Sequence, residues 1–475
     1  MESQFITGKN FIAKLLLLLL PVVILTPGCR KENMDTSIDR TENLIGRFNN
    51  NGVGWGNLSN DMVLRWNEAA VYMVYNTPQD PPNPPILPFY ESRYYAMVNL
   101  AMHDALNNIV PKYKTLALQN ARDKDANPDA AVAQAAHDVI AFFFGKLNPP
   151  AFFTPQQVQD YIHDLLAQSL NTIEEGDSKT KGIALGHAAA EAIIQNRSND
   201  GINEVFVPVI LQGTLPGQYR FTFPFDSPPF NGFYDAPGWG NLTTFGIQNS
   251  AQFSVPPPYA INSAEYTADY NEVKSLGCFT CTGAGGRTQD QENIAKFWVE
   301  GSPFGWNKVA REIVKQKSMD AWKTARLFAL LQMSEADAYI ACGTAKLTHF
   351  FWRPITAIQV GDNDGNPNTV GDPNWQVLWF PTPPVADHPS AHATAGGAGA
   401  ELIKAFFGKD DFSFSFESRT LPGLARSYTS LSQAARENSL SRVYVGYHFR
   451  KASMDGEALG KAIGGWIATH SLLEN

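Results

Sequence analysis

Lys346-Leu-Thr-His-Phe-Phe-Trp-Arg353-Pro354 follows a long predicted helix, Ala321 to Ala345, and decides how the rest of the chain is read. Leu327, Leu330, Leu331, Ala338 and Cys342 recur along that helix at helical spacing. Lys346 and Arg353 stand two turns apart, so a helix continued through them would project both cations from one face. Two later stretches carry related chemistry. His388-Pro389-Ser390-Ala391-His392 precedes a small-residue run, Ala393 to Ala400, predicted to be a tightly packed helix. Its unpaired N-terminal amides suit an anion, and the Ser390 hydroxyl adds a donor. Ser441-Arg442-Val-Tyr-Val-Gly-Tyr-His448 supplies a third cation and a second imidazole. Taken singly, a Lys-x6-Arg spacing is ordinarily a solvated helix face and a lone histidine ordinarily a core residue. Together, one lysine, two arginines, a serine, a helix N-terminus and two histidines suit a phosphate-shaped ligand.

Upstream, the pattern is helical nearly throughout. Tyr94, Met97, Val98, Ala101, Met102, Ala105 and Ile109 fall on one helical face, and Asp129 to Phe144, Pro155 to Ile173 and Asp177 to Asn196 continue the theme. Residues 200–261 change character: proline, glycine and aromatics dominate, which predicts an irregular excursion whose aromatics need burial. Helical signals resume at Ser263 to Ser275, Asp290 to Glu300 and Asn307 to Lys317. Few stretches alternate with period two, so the expected fold class is all-α. The His-Asp dipeptides at His103, His137 and His163 raise a metal-dependent phosphohydrolase, but adjacent helical residues diverge by about 100°, and a structural role is expected.

The N-terminus reads as an address. Lys9 and Lys14 precede Leu15–Leu20 and Val22–Leu25, an apolar run ending at Thr26-Pro27-Gly28-Cys29. That end looks like a bacterial lipoprotein cleavage site with Cys29 lipidated, although Thr26 stands where a leucine is usual. The expected domains are a leader at 1–29, a tether at 30–56, an N-terminal helical half at 57–260 and a C-terminal catalytic half at 261–475. This predicts an extracytoplasmic protein, periplasmic or surface-facing, held to the membrane by its lipid. The formal net charge of −9 makes nucleic acid a poor partner. In an oxidising compartment, Cys278 and Cys281 are expected to form a local disulfide.

The three C-terminal stretches resemble the superfamily of vanadium-dependent haloperoxidases and type 2 phosphatidic acid phosphatases. Its pattern is Lys-x6-Arg-Pro, then Pro-Ser-Gly-His, then Ser-Arg-x5-His followed by x3-Asp. Lys346, Arg353 and Pro354 complete the first motif. The second is complete except that Ala391 replaces the glycine, which adds a methyl group beside the anion and disfavours positive φ. The third is complete through His448, but the aspartate four residues on is Ala452; Asp455 is the nearest carboxylate in sequence and the expected substitute. The resemblance implies helical bundles of the vanadium haloperoxidase type, with the active site in the C-terminal bundle. It also implies vanadate as cofactor, with phosphate able to occupy the same site. His448 would bond the vanadium, Lys346, Arg353, Ser390, the Ala391 amide and Arg442 would hold the oxyanion, Lys346 would polarise bound peroxide, and His392 would be the acid–base residue. Hydrogen peroxide and a halide are the implied substrates. The alternative is an acid phosphatase acting on a phosphomonoester through a phosphohistidine at His448, and a third reading is a degenerate, lipid-anchored binding protein. Seven residues before the motif histidine, haloperoxidases commonly carry an aromatic or a histidine. Val385 stands there, and His388 is either the replacement pocket imidazole or a cap for the loop.

Overall fold

A computed structural model describes residues 58–75, 88–145 and 155–475. The leader, Cys29, the tether and most of the proline-rich loop after Tyr75 lie outside the described residues. Thirteen α-helices are described, with one small two-stranded sheet, and the mostly helical architecture is the expected one. Helices α1 (Asp61–Tyr75), α2 (Pro88–Asn107), α3 (Pro128–Gly145), α4 (Pro155–Asn171) and α5 (Asp177–Asn196) pack together in the N-terminal half. After the excursion come α6 (Ala264–Leu276), α7 (Gln289–Phe297) and α8 (Ser302–Lys315). The site-bearing half follows: α9 (Ala321–His349), the short α10 (Pro354–Gln359), α11 (Ala391–Phe407), α12 (Leu431–Tyr444) and α13 (Arg450–His470). Helix α9 packs on α2 along one side and on α11 and α13 along the other, so it joins the two halves.

The strands β1 (Phe414–Glu417) and β2 (Ala425–Tyr428) pair antiparallel, with Phe414 opposite Tyr428. Phe412-Ser-Phe-Ser-Phe416 does alternate with period two, and its three phenylalanines are buried. The run is short, and the surrounding helical signal hid it.

Small residues set the spacing of the site-bearing helices. Gly456, Gly460 and Gly464 recur every fourth residue on α13 and face α11. A methyl group on Gly456 would stand 2.6 Å from the Ser390 carbonyl, and one on Gly460 would fall inside the Thr394 carbonyl. The two backbones therefore touch, which fixes the N-terminus of α11 against the first turn of α13. On the other flank of α11, Gly396 and Gly399 lie under the fully buried Trp306 of α8.

The excursion packs as cover over the segment between α9 and α10. Tyr219 donates its amide to the Phe350 carbonyl, the Trp352 amide reaches Gly217, and Gln218 bridges Phe351. Tyr219 and Tyr234 then bury Val385 and Ala386 in a small apolar cluster of their own. Cys278 and Cys281 are disulfide-bonded, as expected from the sequence, and Cys342 is free and buried. Among the described residues no helix is long and apolar enough to cross a membrane.

Candidate active site

Lys346 and Arg353 do not share a helix, contrary to the expectation from their spacing. Helix α9 ends at His349, and Phe350 takes a left-handed conformation with φ of 43°. Pro354 explains the stop: it disfavours helical geometry at the residue before it, and Arg353 is instead the extended N-cap of α10. The two cations reach one pocket from two elements. Lys346 Nζ donates to the carbonyls of Ala386 and Asp387, the latter at 3.1 Å. Arg353 Nε donates to the Val385 carbonyl at 2.7 Å, and its Nη1 to the Tyr447 carbonyl at 2.9 Å.

His448 meets two buried groups. Arg353 Nη1 lies 2.8 Å from its Nε2 and 3.3 Å from its Nδ1, and an Asp387 carboxylate oxygen lies 2.8 Å from its Nδ1. The contact is close, yet neither Asp387 carboxylate oxygen has a hydrogen-bond partner of good geometry among the described residues. Arg442, from the last turn of α12, donates to the Ser441 hydroxyl and the Trp298 carbonyl, with its guanidinium 5.6 Å from the centre of the Tyr447 ring. All three cations are almost wholly buried.

The N-terminus of α11 completes the pocket. Ser390 is its N-cap, and the hydroxyl accepts the Ala393 amide, which leaves the hydroxyl proton to donate outward. Ala391 is the first helical residue and is not among the residues with positive φ, so the lost glycine carries no backbone strain. His392 is half-buried as a residue, yet its Nε2 is sealed from water and has no hydrogen-bond partner.

The electrostatics follow from burial. Burial lowers Lys346 to about 8, with Arg353 adding to the effect. Burial first, and then Arg353 and Lys346, hold His448 well below the usual histidine range, so its ring is neutral with a lone pair to offer. His392 is held down in the same way by burial and then Arg442. Burial lifts the Asp387 carboxyl to about 7, against the opposing pull of Arg353 and Lys346.

Two expectations are corrected. Asp455 is not the partner of His448: it pairs with Lys451 at 2.7 Å and lies 3.5 Å from His388 Nε2. Helix α13 begins only at Arg450, so no continuous helix carries position 455 back to the ring. His388 does not substitute as a pocket imidazole either. Its Nε2 meets the Pro256 carbonyl at 2.8 Å, its ring packs on His349, and burial drives it down to about 3. Asp387 was the residue that sequence reasoning missed. It stands just outside the quoted stretch, one place before His388, and its distance in sequence from His448 concealed it.

The remaining arrangement fits an oxyanion. Lys346, Arg353 and Arg442 form no ion pair among the described residues, and Asp387 is the carboxylate that acts on Lys346 and Arg353. Three buried cations against one carboxylate leave positive charge that their carbonyl partners do not neutralise. A sealed imidazole nitrogen without a partner and the first-turn amides of α11 add hydrogen-bonding capacity aimed at an acceptor-rich ligand. A vanadate or phosphate group has the charge, shape and oxygens for this set.

The His-Asp dipeptides do other work. Asp104 accepts the amides of Leu116, Ala117 and Leu118 and so ties down the loop after α2. Asp138 links His137 to His187, and His137 Nε2 lies 2.9 Å from His163 Nδ1, joining α3, α4 and α5.

Comparison with known proteins agrees with this fold. Residues 326–473 match the family model described as the VCPO second helical-bundle domain. The chain is 25% identical to the vanadium chloroperoxidase of Curvularia inaequalis, over 82% of this chain and 78% of that one. A bacterial vanadium-dependent iodoperoxidase structure superposes with a TM-score of 0.69 at 22% identity, covering 88% of this chain and 98% of that one. The holo form of a bacterial vanadium-dependent chloroperoxidase superposes with 0.62 at 17% identity, covering 84% and 96%. These findings uphold the superfamily resemblance carried by the three motifs.

Proposed function

We propose that this chain, built on the vanadium haloperoxidase plan, is a vanadate-dependent haloperoxidase-like enzyme that uses hydrogen peroxide to oxidise a halide. The observation that carries the reading is the surplus of buried positive charge around a neutral His448. Lys346, Arg353, Ser390, Arg442 and the α11 amides would hold the oxyanion, and His448 would offer its ring lone pair to the central atom. Vanadate so held would supply Lewis-acid activation of peroxide. His392 Nε2, neutral and sealed, is suited to take a proton from an incoming peroxide and return it later. Lys346 is suited to draw electron density from a bound oxygen.

One observation favours a second reading. Val385 stands where an aromatic or a histidine is common in haloperoxidases, so that ring is missing at this position. The same cations would hold a phosphomonoester, with His448 as nucleophile and His392 as proton donor to the leaving alcohol. Two assays on one preparation discriminate: peroxide-dependent halogenation after vanadate loading, and phosphate release from a generic monoester without it. Halogenation that follows vanadium content supports the peroxidase reading. Phosphate release alone supports the phosphatase, and neither activity supports a degenerate site. We also propose that Cys29 carries a lipid that holds the enzyme outside the cytoplasm; Cys29→Ala should release it from membranes, and unchanged membrane retention would refute this.

A further inference from the structure

The superfamily pattern asks for an aspartate at position 452, and the chain has Ala452. The structure brings a different carboxylate to the same imidazole. We propose that Asp387 is the positioning residue for His448, and that Asp387 and Ala452 form a compensating exchange in which the orienting carboxylate has moved from α13 to the loop before α11. The proposal rests on the oxyanion-pocket reading above and adds how its key imidazole is oriented.

Three observations carry it. First, Asp387 is fully buried and its backbone is pinned: its amide donates to the Phe351 carbonyl at 2.8 Å, and its own carbonyl accepts from Lys346. A buried carboxylate without an aligned donor is costly, and His448 Nδ1 at 2.8 Å is the ring nitrogen within its reach. Second, Arg353 has only protons to offer, and its Nη1 lies nearer Nε2, at 2.8 Å, than Nδ1, at 3.3 Å; the lone pair is better placed on Nε2 and the ring proton on Nδ1, the nitrogen beside Asp387. The two neighbours therefore select one tautomer, and that tautomer leaves Nε2 able to bond the central atom of an oxyanion.

Third, position 452 adjoins the same space. Asp387, Phe449, Lys451 and Ala452 line one small, partly open recess together with Asp269, Tyr266 and Phe351. The Ala452 carbonyl accepts the Ser390 amide at 2.9 Å, so this turn of α13 is fixed at the cap of α11. An aspartate at 452 would share the recess with Asp387. Burial and, after it, Asp269 on the same recess already push the Asp387 carboxyl up, so a further carboxylate at 452 would add repulsion and compete with Asp387 for the ring N–H.

The test reads the imidazole itself, without vanadate and without turnover. In histidine-labelled protein, 15N shifts of His448, assigned by loss of the signal in His448→Gln, should report protonated Nδ1 and unprotonated Nε2. Asp387→Ala should give a mixture of tautomers, and equilibrium dialysis should show vanadate binding about 10- to 100-fold weaker. Adding Ala452→Asp to Asp387→Ala should restore both the shifts and the affinity. If Asp387→Ala does not fold, Asp387→Asn serves, since its amide oxygen keeps an acceptor: the tautomer should persist while binding weakens. An unchanged tautomer in Asp387→Ala, wild-type affinity in Asp387→Asn, or no recovery with Ala452→Asp overturns the proposal. A protein that passes these tests yet shows no peroxidase activity would sink the proposed reaction and leave the role of Asp387 standing.

Discussion

Arg353 Nη1 lies 2.8 Å from His448 Nε2 and 3.3 Å from its Nδ1. The same guanidinium is anchored on the carbonyls of Val385 and Tyr447, so its plane is set before any ligand arrives. Lysine cannot reproduce a fork anchored at two carbonyls and a ring nitrogen. Arg353→Lys should therefore weaken phosphate binding roughly 10-fold or more, the order expected for loss of a charge-assisted bond of about 1.5–3 kcal/mol. Calorimetric titration with phosphate checks this, and wild-type affinity in the variant would refute it.

The buried lysine gives a pH signature. Lys346 falls to about 8 in the folded chain, from an ordinary 10.5. Between those values the unfolded chain holds a proton that the folded chain has released, so this group makes stability rise with pH across that window. Below about 8 the cost of burying its charge is present in full. Anion binding has the opposite sign, because it needs the ammonium and loses it as pH rises through about 8. The affinity advantage of wild type over Lys346→Met for phosphate should accordingly shrink above that pH. The ratio of the two proteins removes the titration of phosphate itself; a ratio flat with pH would contradict the assignment.

Helix contact is the next point of leverage. A methyl group on Gly460 would enter the Thr394 carbonyl, whereas one on Gly465 would come no closer than 3.9 Å to Glu401. Gly460→Ala should cost about 1–3 kcal/mol or more by overpacking and should weaken anion binding by displacing the α11 N-terminus. Gly465→Ala should be neutral or slightly stabilising. Thermal melts of the two variants side by side decide it, and equal melting points would show that the contact does not set the spacing.

The two histidines should separate by function. His448→Ala should abolish vanadate binding, because its ring lone pair faces the cations. His392→Ala should leave vanadate bound and stop turnover, because its Nε2 is sealed and has no partner to replace it. Vanadium content and halogenation rate, measured on both variants, check the division. Equal loss of vanadium from both would contradict it.

Much of this pocket was legible because its residues fall in three short motifs, each fixed by local spacing. Helices such as Asp177–Asn196 announced themselves in the same way, through small and apolar residues at one period. What failed were inferences that needed a chain path. The Lys346–Arg353 spacing suggested one helix, but Pro354 and the left-handed Phe350 break it. Position 455 seemed two turns from His448, yet the helix starts after the histidine. Asp387 is far from His448 in sequence and reaches it only through the close packing of α11 on α13, which no local pattern encodes.

Competition between phosphate and vanadate tests the central claim most directly. Both are tetrahedral oxyanions, and the pocket presents the same cations, the same helix N-terminus and one His448 lone pair to each. Protein freed of vanadium should be loaded with vanadate in rising phosphate, and peroxide-dependent halogenation measured in parallel with bound vanadium. The account predicts that both fall together as phosphate rises and recover when phosphate is removed. Halogenation that persists without vanadium, or is indifferent to excess phosphate during loading, would contradict it.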